Sequence, residues 1–206
     1  MTAMPAAYPV TVSFREGVSI GRLWGIPVLG LMVRAIVAIP LFIVLLIFGI
    51  AFDVALLLLW IPVLLTGRQA GLVYAIVGGY LRFSTRSLAY LYLLAGQYPP
   101  FTAGEVPGEE VAVHIEEGQS INRLWGIPIL GFMIRWIILI PHLIVVAIIS
   151  IAAGILLYFA WIPVLLMGRQ SHLVYALVGG WLRYYVRISA YLLLLTDRYP
   201  PFSLSN

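Results

Sequence analysis

The residues of this chain best suited to chemistry are three histidines and twelve arginines; lysine and cysteine are absent. A neutral imidazole can hold a metal or the iron of a tetrapyrrole. His142 stands in a strongly apolar run, where an ionisable side chain is a functional candidate by default, so it is the one candidate cofactor ligand. No cysteine can supply a thiolate, and neither a metal nor another cofactor is expected. Nucleophile chemistry has less to work with. Ser84, Ser87 and Ser189 lack a histidine or acid at helical spacing, and no G-x-S-x-G, P-loop or dinucleotide fingerprint occurs. Paired carboxylates occur only as Glu109–Glu110 and Glu116–Glu117, in a stretch that reads as solvated. The chain is therefore expected not to be an enzyme.

The arginines remain. Arg34, Arg68, Arg82 and Arg86 recur 101 residues later as Arg135, Arg169, Arg183 and Arg187. Arginine keeps its charge under burial and offers a planar fork to phosphates and carboxylates. Two readings stand: the charges set membrane topology, or they bind anionic headgroups or a partner protein.

The elements that must carry these residues are oily. Hydrophobic residues make up 63% of the chain, charged residues 10%, and mean hydropathy is +1.05. Soluble domains sit nearer half apolar and a quarter charged, so an integral membrane protein is predicted. Met1 to Gly17 has no basic stretch followed by an apolar core, so it does not read as a secretory signal. The hydrophobic run from near Gly30 would act as an uncleaved anchor. Absence of cysteine excludes disulfides and leaves the compartment open.

The recurrence of arginine belongs to a larger one. "RLWGIP" begins at Arg22 and again at Arg123, and Ser19–Thr102 aligns with Ser120–Ser203 without a gap, identical at 49 of 84 positions. "WIPVLL", "GRQ", "VGG" and "YPPF" all recur in register. "VTVSF" at Val10 and "VAVHI" at Val111 alternate as half-buried strands do. The expected organisation is a first membrane repeat over 1–102, a linker over 103–110 and a second repeat over 111–206. Histidine does not follow the repeat: His142, His114 and His172 face Leu41, Ser13 and Gly71, so any histidine-centred site would occur once.

Within a unit, residues 36 to 66 contain one charge, Asp53. As one helix they would measure about 46 Å, against a hydrocarbon core of about 30 Å. Gly49 and Asp53 in one copy, Ser150 and Gly154 in the other, suggest a turn at the midpoint, which makes a transmembrane helical hairpin. The segment from Leu72 places Ala75, Gly79, Arg82, Arg86, Ala89 and Tyr90 on one helical stripe, read as an amphipathic helix in the interface. Gly78 and Gly79 would allow close helix contact, and Trp24, Trp60, Trp125 and Trp161 would form an aromatic belt. The fold expected is an all-α integral membrane protein, each unit a short N-terminal strand, a helical hairpin and an interfacial helix, with the two strands meeting. All arginines then share one side, which the positive-inside rule makes cytoplasmic, termini included. A rival layout makes the segment from Leu72 a true span.

The closing stretch "VGGWLRYYVRISAYLLLLTDRYPPFSL", together with "IPH" at Ile140–His142, resembles the bacterial domain-of-unknown-function family DUF4389 in both units. The first unit departs from it with Leu41 in place of the histidine and Ala95, Gly96 and Gln97 in place of Thr-Asp-Arg. The resemblance implies a membrane fold and a bacterial origin, and no particular activity; the location expected is the bacterial inner membrane, multi-pass. The function expected is a non-catalytic accessory or scaffold subunit packed against a larger membrane-protein complex. The alternative is an anionic-lipid-binding or membrane-organising protein, and a transporter is less favoured because the spans hold almost no ionisable groups. Membrane lipids and that complex are the expected partners, and no nucleic acid.

Overall fold

The computed structural model describes residues 8–205; residues 1–7, which the expected first repeat includes, and Asn206 lie outside the described residues. Unit one runs through strand β1 (Val10–Phe14), a 3-10 turn at Arg22–Gly25, and helices α1 (Leu29–Val37), α2 (Ile39–Leu58), α3 (Trp60–Thr66) and α4 (Gly71–Leu91). Unit two follows with β2 (Val111–Ile115), a 3-10 turn at Arg123–Gly126, α5 (Leu130–Phe159), α6 (Trp161–Met167), α7 (His172–Val174), π-helical turns at Tyr175–Gly179 and α8 (Gly180–Leu192).

The hairpin expected at the middle of the apolar run is overturned. Helix α2 passes unbroken through Gly49 and Asp53, and α5 through Ser150 and Gly154. An isolated glycine costs a helix only about 1 kcal/mol, whereas breaking an apolar helix would leave backbone groups unpaired. The chain reverses later, at Gly67 and Gly168, where φ of +71° and +67° ends α3 and α6. Glycine adopts this left-handed conformation without a Cβ clash. The returning helix lies antiparallel on the outgoing one. Phe48 meets Phe83 and Phe52 stacks on Tyr80 in unit one; His142 meets Tyr184 and Trp181 donates to Ser150 in unit two. Each unit is thus a hairpin of one long apolar helix and one arginine-striped helix.

The two strands do meet, as an antiparallel ribbon with Val12 opposite Val113. These two are repeat counterparts, so a pseudo-two-fold axis passes between them. Val10, Val12, Val113 and Ile115 are buried, while Ser13 and His114 face outward. The arginine-striped helices α4 and α8 run antiparallel beneath the ribbon. Gln69 at the start of one donates to Leu194 O at the end of the other (3.5 Å), and Gln170 donates reciprocally to Leu93 O (3.4 Å). Helices α2 and α5 pack on α4 and α8 and make no comparable contact with the ribbon.

The repeated phrase now has a structural reason. Each "RLWG" turn packs on the "WIPVLL" helix of the other unit. A Cβ on Gly25 would stand 2.3 Å from Leu165 N, and one on Gly126 2.4 Å from Leu64 N. Backbone hydrogen bonds of 2.8 Å run from Ile20 N to Gly168 O and from Ile121 N to Gly67 O. The units therefore exchange the same contact twice. The glycines expected at a helix–helix contact serve otherwise: a Cβ on Gly79 would meet Ala103, and one on Gly180 Leu204, in the tails after "YPPF".

The outer helices leave most of their surface open. Ile39–Thr66 and Leu130–Met167 are long and apolar enough to cross a membrane, and only 11% of the most hydrophobic window of each is buried. Ile137, Ile140, Ile144, Ile148, Ile151 and Ile155 are all exposed, and their spacing of three and four draws one continuous apolar stripe.

Candidate functional site

The arginine stripe of α4 and α8 turns inward, onto the ribbon, where the sequence led us to expect headgroups. Arg82 Nε donates to Val113 O of the other unit's strand (3.3 Å), and Arg183 Nε donates to Val12 O (2.8 Å). One turn on, Arg86 donates to Thr102 O (3.2 Å) and Gly104 O (2.7 Å), and Arg187 to Ser203 O (3.2 Å) and Ser205 O (2.8 Å). Each unit thus grips its partner's strand with one arginine and its own tail with the next. A guanidinium suits this task because several donors spread in a plane reach carbonyls that would otherwise lie buried and unpaired.

Arg34 and Arg135 form a second pair, both fully buried. Each guanidinium lies between two aromatic faces, the tryptophan of "RLWG" and the tyrosine of the "AY" helix. Arg34 is 5.4 Å from the Trp24 ring and 3.9 Å from Tyr90; Arg135 is 5.0 Å from Trp125 and 4.3 Å from Tyr191. Arg34 also donates to Ala95 O, and Arg135 to Tyr191 O, Thr196 O and the Asp197 carboxylate (2.7 Å). Trp24 and Trp125, expected in an aromatic belt, thus act as cation–π partners.

Of the eight arginines singled out by repetition, Arg34, Arg82, Arg86, Arg135, Arg183 and Arg187 are engaged within the protein, while Arg68 and Arg169 are exposed. The exposed pair gains company that the sequence reading did not mark. The Arg22 side chain lies along Gly168, beside Arg169, and the Arg123 side chain lies along Gly67, beside Arg68. Two corners of the molecule, related by the pseudo-two-fold, each present two exposed arginines, one from each unit.

Two of the three linker acids, Glu109 and Glu110, are less solvated than their composition suggests. Glu109 pairs with Arg86 at 2.6 Å, with the two side chains 12% and 2% exposed. Burial raises the Glu109 carboxyl above its usual range against the pull of the Arg86 charge, and burial lowers the Arg86 guanidinium. Glu110 accepts from Gly96 N (2.7 Å) and Gln97 N (3.0 Å). Unit one lacks the Thr-Asp-Arg of unit two, and Glu110 is the acid that meets the backbone there.

His142 is fully buried. Its Nδ1 faces the Tyr184 hydroxyl, and its ring stacks on Phe202 at 4.0 Å with an interplanar angle of 4°. Among the described residues no three histidine, cysteine or acidic side chains gather as a metal site would require. In unit one the same two positions hold Leu41 and Phe83, so the polar pair of unit two replaces an apolar one.

The sequence model of a family described as "Domain of unknown function (DUF4389)" matches residues 29–103 and again residues 130–203. No curated protein and no solved structure matches the chain.

Proposed function

The chain belongs to the DUF4389 family, in two tandem copies, and on that premise we propose that it is a non-catalytic protein of the bacterial inner membrane, an accessory or scaffold subunit for a larger membrane-protein complex. The observation that carries this reading is the unpartnered apolar surface of α2 and α5, of whose hydrophobic windows only 11% is buried. Exposed apolar surface on this scale requires lipid or protein against it. The buried arginines, in contrast, are spent on gripping backbone within and between the two units, which suits a rigid support better than a reaction centre. Native pull-down from membranes in a mild detergent or polymer disc, read by protein and lipid mass spectrometry together, tests it. A stoichiometric larger partner is the expected result; recovery of the chain in the soluble fraction without detergent would end the membrane reading altogether.

A second reading, anionic-lipid binding, is favoured by a specific observation. Exposed Arg22 with Arg169, and Arg123 with Arg68, sit beside apolar grooves, one lined by Leu23, Trp24, Leu29 and Val33, the other by Trp60, Trp125, Ile129 and Phe132. A cationic corner above an apolar groove suits a phosphate with its acyl chains. Replacing the four arginines with glutamine should lose co-purified anionic lipid; unchanged lipid retention would count against it.

A further inference from the structure

We propose that the molecule lies flat in one leaflet of an anionic bilayer, with α2 and α5 in the membrane plane, the β1–β2 ribbon in water, and Arg22, Arg68, Arg123 and Arg169 on lipid phosphates. The inference deepens the membrane reading above and rests on it. Helices long enough to cross a membrane ordinarily imply a span, and four observations argue otherwise here.

The first is the height of the ribbon. Arg82, which holds the centre of β2, lies midway along α4, and the neighbouring Tyr80 and Phe83 pack on Phe52 and Phe48 at the middle of α2. The counterpart Arg183 holds the centre of β1. An upright molecule would therefore carry its ribbon at the bilayer midplane. A two-stranded ribbon has two open edges, and unpaired backbone groups in hydrocarbon cost several kcal/mol each. Exposed Ser13 and His114, and the exposed Glu16, Glu116 and Glu117 near the strand ends, would sink with it. Laid flat, the same ribbon is the part farthest from lipid.

The second observation is length. The 30 residues of α5 extend about 45 Å, and burying that whole length upright in about 30 Å of hydrocarbon takes a tilt near 50°, outside the usual range of 0–40°, although the 20 residues of α2 alone would fit. A helix about 10 Å thick lying flat fits within half a bilayer, about 15 Å.

Third, the arginines show no polarity along the helices. The antiparallel arrangement puts Arg22 and Arg169 at one end and Arg123 and Arg68 at the other, so an upright molecule would have no positive side to retain in the cytoplasm. A flat one sets all four at a single interface. Fourth, the apolar surface is continuous: the isoleucine stripe of α5 has its match in exposed Phe42, Leu46, Ile50, Val54 and Leu57 on α2. Asp53 is the one charge among them.

The absence of cysteine makes the test direct. Ser19 and Ser120 are exposed repeat counterparts at opposite corners, and His114 is exposed on the ribbon. Single variants Ser19→Cys, Ser120→Cys and His114→Cys, with Leu46→Cys and Ile148→Cys on the apolar face, would be treated with an impermeant thiol reagent in membrane vesicles of each orientation. The flat placement expects the first three to label from the same side, with loss of labelling from the other side and at Leu46 and Ile148. Labelling of Ser19→Cys and Ser120→Cys from opposite sides would overturn it while leaving the membrane reading intact; water-like labelling of Leu46→Cys and Ile148→Cys would overturn it as well. Infrared linear dichroism of the unaltered chain in aligned bilayers is the variant-free arm: helix axes in the plane are expected, and axes along the normal overturn the proposal.

Discussion

Arg34 and Arg135 occupy the same place in the two units, buried between a tryptophan and a tyrosine, yet their charges are met differently. In unit two Asp197 binds the guanidinium directly at 2.7 Å and accepts from Asn122 N at 3.0 Å with its other oxygen. In unit one Gly96 stands at that position, and a Cβ there would lie 2.3 Å from Ser19 O. The carboxylate comes instead from Glu110, which caps Gly96 and Gln97 and reaches Arg34 only as a more distant charge. The repeated letters make the same contact twice, within a unit at Trp24–Arg34–Tyr90 and between units at Gly25 and Gly126; where the letters differ, as at Gly96 and Asp197, the same buried charge has a different partner.

The repeated contacts between units should give the largest effects. Gly25→Ala and Gly126→Ala each push a methyl into backbone of the other unit, and overpacking of this kind costs about 3 kcal/mol. Both should lower the thermal unfolding midpoint in detergent by similar amounts, and a large inequality would break the symmetry argument. Next come the differing partners. Asp197→Ala strips a buried guanidinium of its direct counter-ion at a cost of about 3 kcal/mol, whereas Glu110→Ala removes a cap worth about 1 kcal/mol. Equal losses in the same melt would show that Glu110 binds Arg34 as tightly as Asp197 binds Arg135.

A third effect concerns the polar pair that only unit two carries. His142→Leu leaves the buried Tyr184 hydroxyl without its ring-nitrogen partner, at about 1–3 kcal/mol. Adding Tyr184→Phe recreates the Leu41–Phe83 pair of unit one and should recover most of that loss, a coupling readable by a double-mutant cycle. If the double variant is no better than the single ones, the pair does more than pack. The smallest effect is a pH trend. The folded Glu109 carboxyl titrates above its usual 4.5, so its contribution to stability is fully present below that value and is lost as pH rises through the raised one. Glu109→Gln should flatten this part of the unfolding profile, with an unaltered slope counting against the assignment.

Much of this was legible beforehand. The 101-residue register gave the two units, their strands and the strand pairing, because a pseudo-symmetric chain can satisfy a lone half-buried strand only with its copy. The helical stripe of arginines was likewise visible from spacing. What those arginines face was not, since periodicity names a face and says nothing of its neighbour. The strands that cover Arg82 and Arg183 belong to the other unit, and the tails that cover Arg86 and Arg187 fold back from beyond the end of their own helix. The hairpin expectation failed for a related reason. Gly49 and Asp53 are turn-compatible, but compatibility is weak in a long apolar run where an unbroken helix keeps every backbone group hydrogen-bonded, and the real reversal uses Gly67 and Gly168, whose left-handed backbone favours glycine.

The exchanged contacts and the flat placement alike depend on the two units forming one body about the axis between Val12 and Val113. Ser13 and Ala112 face each other across the ribbon and both are exposed. Cross-strand Cα atoms lie about 4.5–5.5 Å apart, within the span a disulfide bridges. The double variant Ser13→Cys/Ala112→Cys, oxidised in native membranes, should close a bond within one chain, seen as a faster-migrating monomer on a non-reducing gel. Free thiols after oxidation, or bonds only between chains, would contradict the account.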